Sequence, residues 1–243
     1  MIITNTLAIF LPLGGGFSHW LLYIGVPLIL GLYAQWKVTS TIRKYSQIPT
    51  AGNITGAEIA EQILSAAQIR DVKVEEINGM LGDHYDPINK RLCLSSDVYH
   101  SASVAAVGIA AHETGHAIQH ARAYKPLYAR MAVVPVTQFA SQILPFVLFG
   151  GFFLPFLGMA FIKIGVICYL VLTAFQLITL PVEFDASNRA KIILQQMGLI
   201  RGPGEVSGVN KVLNSAALTY VAAFIASLGN LLYLLSLTQN RRS

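Results

Sequence analysis

Four runs of this chain are each long and apolar enough to cross a bilayer: Phe17 to Val38, Met131 to Phe153, Pro155 to Leu180, and Ala216 to Leu237. A spanning helix needs roughly 20 such residues. Apolar residues make up 54% of the 243 and charged residues only 12%, about half the charged share of a soluble globule. In the first run Trp20, Tyr23, Tyr33 and Trp36 stand where aromatic belts form at the two interfaces. The second and third runs read as a tight hairpin turning at Gly150-Gly151. Apart from Lys37 at the very end of the first run, Lys163 is the one charge inside these runs, near enough to a helix end to snorkel toward water. No basic segment or small-residue cleavage site precedes the first run, so it reads as a retained anchor rather than a removed signal.

The net charge of +5 does not imply nucleic acid, because the basic residues are scattered and flank the apolar runs. Lys37 stands at the end of the first run, and Arg43, Lys44, Arg70, Lys73, Lys90, Arg91, Arg122, Lys125 and Arg130 lie between the first and second. Arg189, Lys191, Arg201 and Lys211 lie between the third and fourth. By the positive-inside rule both segments are expected in the cytoplasm of a cell-membrane, multi-pass protein, with only Arg241 and Arg242 dissenting. Cys93 and Cys168 occupy unlike surroundings, which argues against a disulfide and for two small core residues.

The expected fold is a mainly α membrane protein with about four transmembrane helices and a small α+β cytoplasmic domain. The domain organisation reads as a first span over 17–38, a polar domain over 50–130, a transmembrane hairpin over 131–180, a further segment over 181–215 and a last span over 216–237. In the polar domain Thr55-Gly-Ala-Glu58 forms a capping box before the apolar stripe of Ala60, Ile63, Leu64 and Ala67. Val72 to Ile77 reads as a strand, and Leu81 to Tyr85 and Arg91 to Ser95 flank a turn at Asp86-Pro-Ile-Asn89. Ser95 or Ser96 is the expected cap of the next long helix. Gly202-Pro-Gly204 predicts a loop before a short helix from Val206 to Asn214.

That long helix carries His112-Glu-Thr-Gly-His116. On a helix the two histidines fall one turn apart on one face, where both ring nitrogens can meet a single divalent cation with Glu113 beside it. The preceding Ser103 to Ala111 is almost wholly small and apolar, which implies a buried helix, and buried imidazoles need partners. Two neutral imidazoles leave the charge of Zn²⁺ intact, so it can polarise a carbonyl and acidify water, and Glu113 is placed to carry the proton to the leaving amine. The plainer alternative is a helix with two solvated histidines.

Two histidines alone make a poor zinc site. His120 shares their face but lies roughly 12 Å along a straight helix from His112, too far for one ion. Metzincins bend the chain at a glycine to bring a third histidine; here those positions hold Gln119 and Arg122. Glu183, just past the third run, is the better candidate, since an acid at an apolar boundary is costly unless paired or metal-bound. An ordinary interfacial acid at a helix start would also account for it, and for Asp185.

His112-Glu-Thr-Gly-His116, Pro181-Val-Glu-Phe-Asp-Ala-Ser187 and Leu213-Asn-Ser-Ala-Ala-Leu-Thr-Tyr220 together resemble the neutral zinc metallopeptidases of bacterial multi-pass membrane proteins. The likeness extends more distantly to the heat-shock membrane zinc peptidases and the CAAX prenyl endopeptidases. It implies zinc ligation by His112, His116 and Glu183, with Glu113 as catalytic base. The distant relatives carry a Glu-x-x-x-Asp pattern whose Asp supports a ligand histidine; here Ser187 takes that place, with Asp185 and Asn188 as substitutes.

The reading that follows is a zinc endopeptidase hydrolysing membrane proteins or membrane-associated peptides at the cytoplasmic surface, with protein substrate and lipid bilayer as partners. Arg189, Tyr220 and His84 are candidate donors to the oxyanion, Arg189 being equally suited to pair with Asp185. The Arg91 to Ser95 strand either presents an edge to which an extended substrate adds or is an ordinary internal strand. Non-catalytic alternatives are a scaffold or chaperone with a structural zinc site, or a metal transporter. Closed structural sites usually use four ligands, often thiolates, and no cysteine stands near the motif; a transporter would place ionisable residues within its spans. Nothing in the sequence specifies an oligomeric state.

Overall fold

A computed structural model describes residues 16–78, 82–154 and 157–239. The segment before Gly16, Leu81, Pro155, Arg241 and Arg242, on which parts of the sequence reading rest, lie outside the described residues. Among the described residues four helices are long and apolar enough to cross a membrane, and three short strands form one sheet. The chain is a mainly α membrane protein with a small α+β part, as its composition requires.

The chain divides into two compact units. The first comprises residues 1–34, 129–180 and 219–243; the second comprises 35–128 and 181–218.

Helix α1 (Gly16–Trp20) passes through one π-helical turn (Leu21–Gly25) into α2 (Val26–Tyr45). With α6 (Lys125–Phe153), α7 (Gly158–Gln196) and α8 (Gly202–Gln239) these supply the apolar helices of the first unit. Ile24, Leu144, Tyr169, Leu231 and Leu234 form its buried core. Phe139, Phe146, Ile167 and Leu170 point outward, the pattern of helices whose solvent is hydrocarbon. Gly229 admits a close approach: a Cβ there would lie 2.2 Å from the Tyr23 carbonyl oxygen. Cys93 and Cys168 are both free and buried.

Two local expectations are corrected. Gly150-Gly151 does not turn the chain, because α6 runs on to Phe153. Glycine is tolerated in an apolar helix whose backbone has no water to bond instead. Residues 206–214 are not a separate short helix but the opening of α8, and Gly202 already belongs to it. Helix α7 runs on through Pro181 to Gln196, and its residues 181–196 belong to the second unit.

The second unit is built around α3 (Gly56–Ala66) and α5 (Val104–Ala121). Thr55 caps α3 with the full reciprocal box to Glu58. Ile59, Ile63, Leu92, Leu94, Val107, Ala110, Leu194 and Leu213 fill the core. Strands β1 (Lys73–Ile77), β2 (His84–Asp86) and β3 (Arg91–Ser95) lie in the order β1-β3-β2. β2 and β3 are the antiparallel hairpin expected around the 86–89 turn, with Asp86 opposite Arg91. β1 pairs parallel with the other side of β3, Lys73 opposite Arg91. β3 is therefore internal, and the reading of Arg91 to Ser95 as an edge is corrected; its burial from Leu92 to Ser95 reflects that position. The cap of α5 is Ser103, whose hydroxyl accepts from Ala106 N at 3.2 Å. Ser95 instead precedes the one-turn helix α4 (Ser96–Tyr99) and makes no side-chain cap bond to it.

Candidate metal centre

Small residues decide what can approach α5. Ala105, Ala106, Ala110, Ala111 and Gly115 are all buried, and at Gly115 a Cβ would meet the Ala186 carbonyl oxygen at 2.7 Å. Glycine at that position lets the backbone of the 181–196 segment come against α5 one turn from Glu183. The three residues anticipated from the sequence converge as a result.

His112 and His116 stand edge to face with ring centroids 4.8 Å apart. Both Nε2 atoms face Glu183 Oε2, at 3.3 Å from His112 and 3.5 Å from His116. The three ligand atoms fall within 4.8 Å of one another. The side chains are 12%, 9% and 3% exposed respectively, so water cannot screen this carboxylate and its charge needs a partner.

The opposite nitrogens are also held. His112 Nδ1 meets Ser187 Oγ at 3.1 Å, so the serine in the place of the relatives' aspartate is itself the histidine's partner. His116 Nδ1 meets Gln119 Oε1 at 3.0 Å. Gln119 Nε2 donates to the Val182 carbonyl and to Asp185 Oδ2, each at 2.8 Å, and Asp185 accepts from Arg189 Nε at 2.6 Å. Arg189 lies over the Tyr124 ring, 5.7 Å from its centroid.

Glu113 shares the helical turn with the two histidines. Burial pushes its carboxyl above the ordinary carboxylate range; the imidazoles oppose this, and the charges of Glu183 and Asp83 add to it. A carboxylate tuned upward suits proton transfer near neutral pH. Burial works against a charged His116 ring, but the hydrogen bond and charge of Glu183 prevail and raise its pKa. A site that draws a proton so strongly draws a divalent cation too, and the two compete.

The remaining anticipated residues are distributed as follows. Asp185 supports His116 through Gln119 rather than His112 directly. Arg189 pairs with Asp185. Asn188 is exposed. His84 is exposed, its Nδ1 2.6 Å from Gly82 O. Tyr220 belongs to the first unit. His120 stands apart from the cluster, its Nδ1 2.9 Å from Tyr85 OH. Two residues went unanticipated as contributors. Gln119 has no distinguishing mark beyond its i+3 spacing from His116. Asp83, which accepts from Ser95 N at 2.7 Å and Ser95 Oγ at 3.0 Å, precedes a strand and looks like any turn acid.

Two imidazoles and one carboxylate, with ligand atoms gathered about one point, could together hold a metal ion. The fit rests on chemistry visible here: one carboxylate oxygen faces two ring nitrogens at hydrogen-bond distance.

Fold and site together thus define a multi-helix membrane protein with a candidate metal centre. The chain belongs to the neutral zinc metallopeptidase family: the model of the family described as "Putative neutral zinc metallopeptidase" matches residues 20–239. It is 46% identical over 213 residues to the "Putative membrane protease YugP" of Bacillus subtilis (strain 168), covering 88% of this chain and 93% of that protein. No solved structure matches the chain at a significant level.

Proposed function

We propose that this protein is a zinc-dependent endopeptidase that hydrolyses membrane proteins or membrane-associated peptides at the cytoplasmic face of the cell membrane. The reading is carried by the convergence of His112, His116 and Glu183 within reach of one cation, with Glu113 on the same helix. His112, His116 and Glu183 would hold Zn²⁺, which supplies Lewis acidity toward the scissile carbonyl and toward water. Glu113 takes the proton of the attacking water and delivers it to the leaving amine, a role supported by its burial and raised pKa. Ser187 and Gln119 orient the two imidazoles.

The cytoplasmic assignment rests on the basic residues that flank the spans. The substrate class rests on the apolar helices in the same chain, which confine the enzyme to lipid, and on the relative described as a membrane protease. The alternative of a scaffold or chaperone with a structural zinc is disfavoured by the three protein donors, rather than four, gathered among the described residues, and by Glu113 beside them.

The test uses purified full-length protein in detergent with an unfolded protein as substrate. Wild type is expected to cleave it and to stop on treatment with a chelator. Glu113→Gln is expected to retain zinc and lose cleavage by at least about 100-fold. Full activity in Glu113→Gln, or chelator-resistant cleavage, would refute this function.

A further inference from the structure

The two imidazoles are not held alike. His112 Nδ1 faces a serine hydroxyl, which can donate or accept and so follows whichever tautomer the ring adopts. His116 Nδ1 faces the Gln119 amide, and that amide has no such freedom. Its nitrogen lies 2.8 Å from the Val182 carbonyl oxygen and 2.8 Å from Asp185 Oδ2, and neither of those groups can donate. The nitrogen must therefore point at them and the oxygen at His116. Flipping the amide would set an oxygen against a carbonyl and a carboxylate inside a fully buried environment, since Gln119 is 0% exposed, at a cost of several kcal/mol. Asp185 is fixed in turn by Arg189 at 2.6 Å.

From this geometry we propose that Gln119 is the positioning residue of the metal centre. Locked by Asp185 and Val182, it forces the proton of His116 onto Nδ1 and keeps the Nε2 lone pair aimed at the point shared with His112 and Glu183. The site thereby fixes in advance which ring nitrogen keeps its proton, so binding a cation at Nε2 does not require the imidazole to reorient. This inference rests on the zinc reading and adds a requirement to it. At Nδ1 a neutral amide, not a carboxylate, supplies the orientation. The carboxylate acts one residue further away, through Asp185.

The test is zinc affinity of full-length protein in detergent, read by competition with a chromophoric chelator. The absorption spectrum of the Co²⁺-substituted protein serves as a report on ligand geometry. Gln119→Met keeps the length of the side chain and removes its acceptor; zinc affinity is expected to fall about 10- to 100-fold, the usual loss when such a support is removed, with an altered Co²⁺ spectrum. Gln119→Glu can regain the pattern as a carboxylic acid that donates to Asp185 and accepts from His116. It is expected to recover affinity to within roughly threefold of wild type.

Asp185 is less enclosed, its side chain 26% exposed, so Asp185→Ala decides the matter if Gln119→Met does not fold. Asp185→Ala removes one of the two anchors of the amide and is expected to weaken zinc about 3- to 10-fold, whereas Arg189→Ala, which removes the same ion pair but leaves both anchors in place, stays within about twofold. A merely structural ion pair would make those two variants alike. Wild-type affinity in both Gln119→Met and Asp185→Ala, or equal losses in Asp185→Ala and Arg189→Ala, overturns the proposal while leaving the zinc site standing. Failure of the wild type itself to bind zinc overturns both.

Discussion

Replacing Gly115 with alanine should damage the metal centre far more than it damages the fold. The added Cβ would lie 2.7 Å from the Ala186 carbonyl oxygen and 3.2 Å from Ala186 Cα. Both are backbone atoms, so no rotamer change relieves the overlap. Restoring ordinary contact requires α5 and the 181–196 segment to separate by about 0.7 Å. Ala186 is three residues from Glu183 on the same helix, so the shift carries the carboxylate away from His112 and His116 by a similar amount. Metal–ligand distances tolerate only about 0.2 Å, and a misplacement near 1 Å costs on the order of 100-fold in rate. The fold loses less. Overpacking costs about 1–3 kcal/mol, and alanine returns close to 1 kcal/mol of helix propensity. Gly115→Ala is therefore expected to remain folded by thermal denaturation in detergent, with zinc affinity down at least about tenfold and cleavage of an unfolded substrate down roughly 100-fold. Wild-type affinity and activity in this variant would refute the claim that the close approach at Gly115 sets the site.

Two further predictions concern the second unit. Ser103→Ala removes the only side-chain cap of the helix that carries both histidines and should cost about 1 kcal/mol in chemical denaturation; no change would place the start of α5 elsewhere. In the hairpin turn Asp86 is held down to about 2, chiefly by the Asn89 side chain and then by the Asn89 backbone N–H. A depressed carboxyl contributes stability above its unfolded value near 4 and loses it as pH falls from there toward 2. Asp86→Ala should be less stable than wild type by about 1 kcal/mol at neutral pH, and the difference should shrink below pH 4; a gap independent of pH would contradict this.

What could be read from the sequence depended on how local each feature is. The i, i+4 spacing of His112 and His116 is a property of one helical turn, and the structure bears it out. The apolar runs were equally legible, because about 20 residues without charge have few other uses. Glu183 needed more. Its place at the end of a run suggested a costly acid, and only the family resemblance selected it over Asp185. Gln119 was out of reach, since its role arises from Val182 and Asp185, over sixty residues away. The internal position of β3 was hidden for a similar reason. It depends on parallel pairing with β1, whose residues are exposed or half-buried without strict alternation and carry no strong apolar pattern. The cap of α5 was misplaced because two serine clusters precede it, and the one-turn helix α4 uses the space between them. Helix ends past the apolar runs were underestimated as well, because Gly and Pro, which stop helices in water, do not stop them here.

The most direct test of the metal centre is X-ray absorption at the zinc edge of purified, zinc-loaded protein, compared with Glu183→Ala. The expected wild-type result is one zinc per chain with two imidazole nitrogens and carboxylate oxygen at about 2.0–2.2 Å, and loss of stoichiometric zinc from the variant. Sulfur in the coordination shell, or an unchanged spectrum and zinc content in Glu183→Ala, would contradict it.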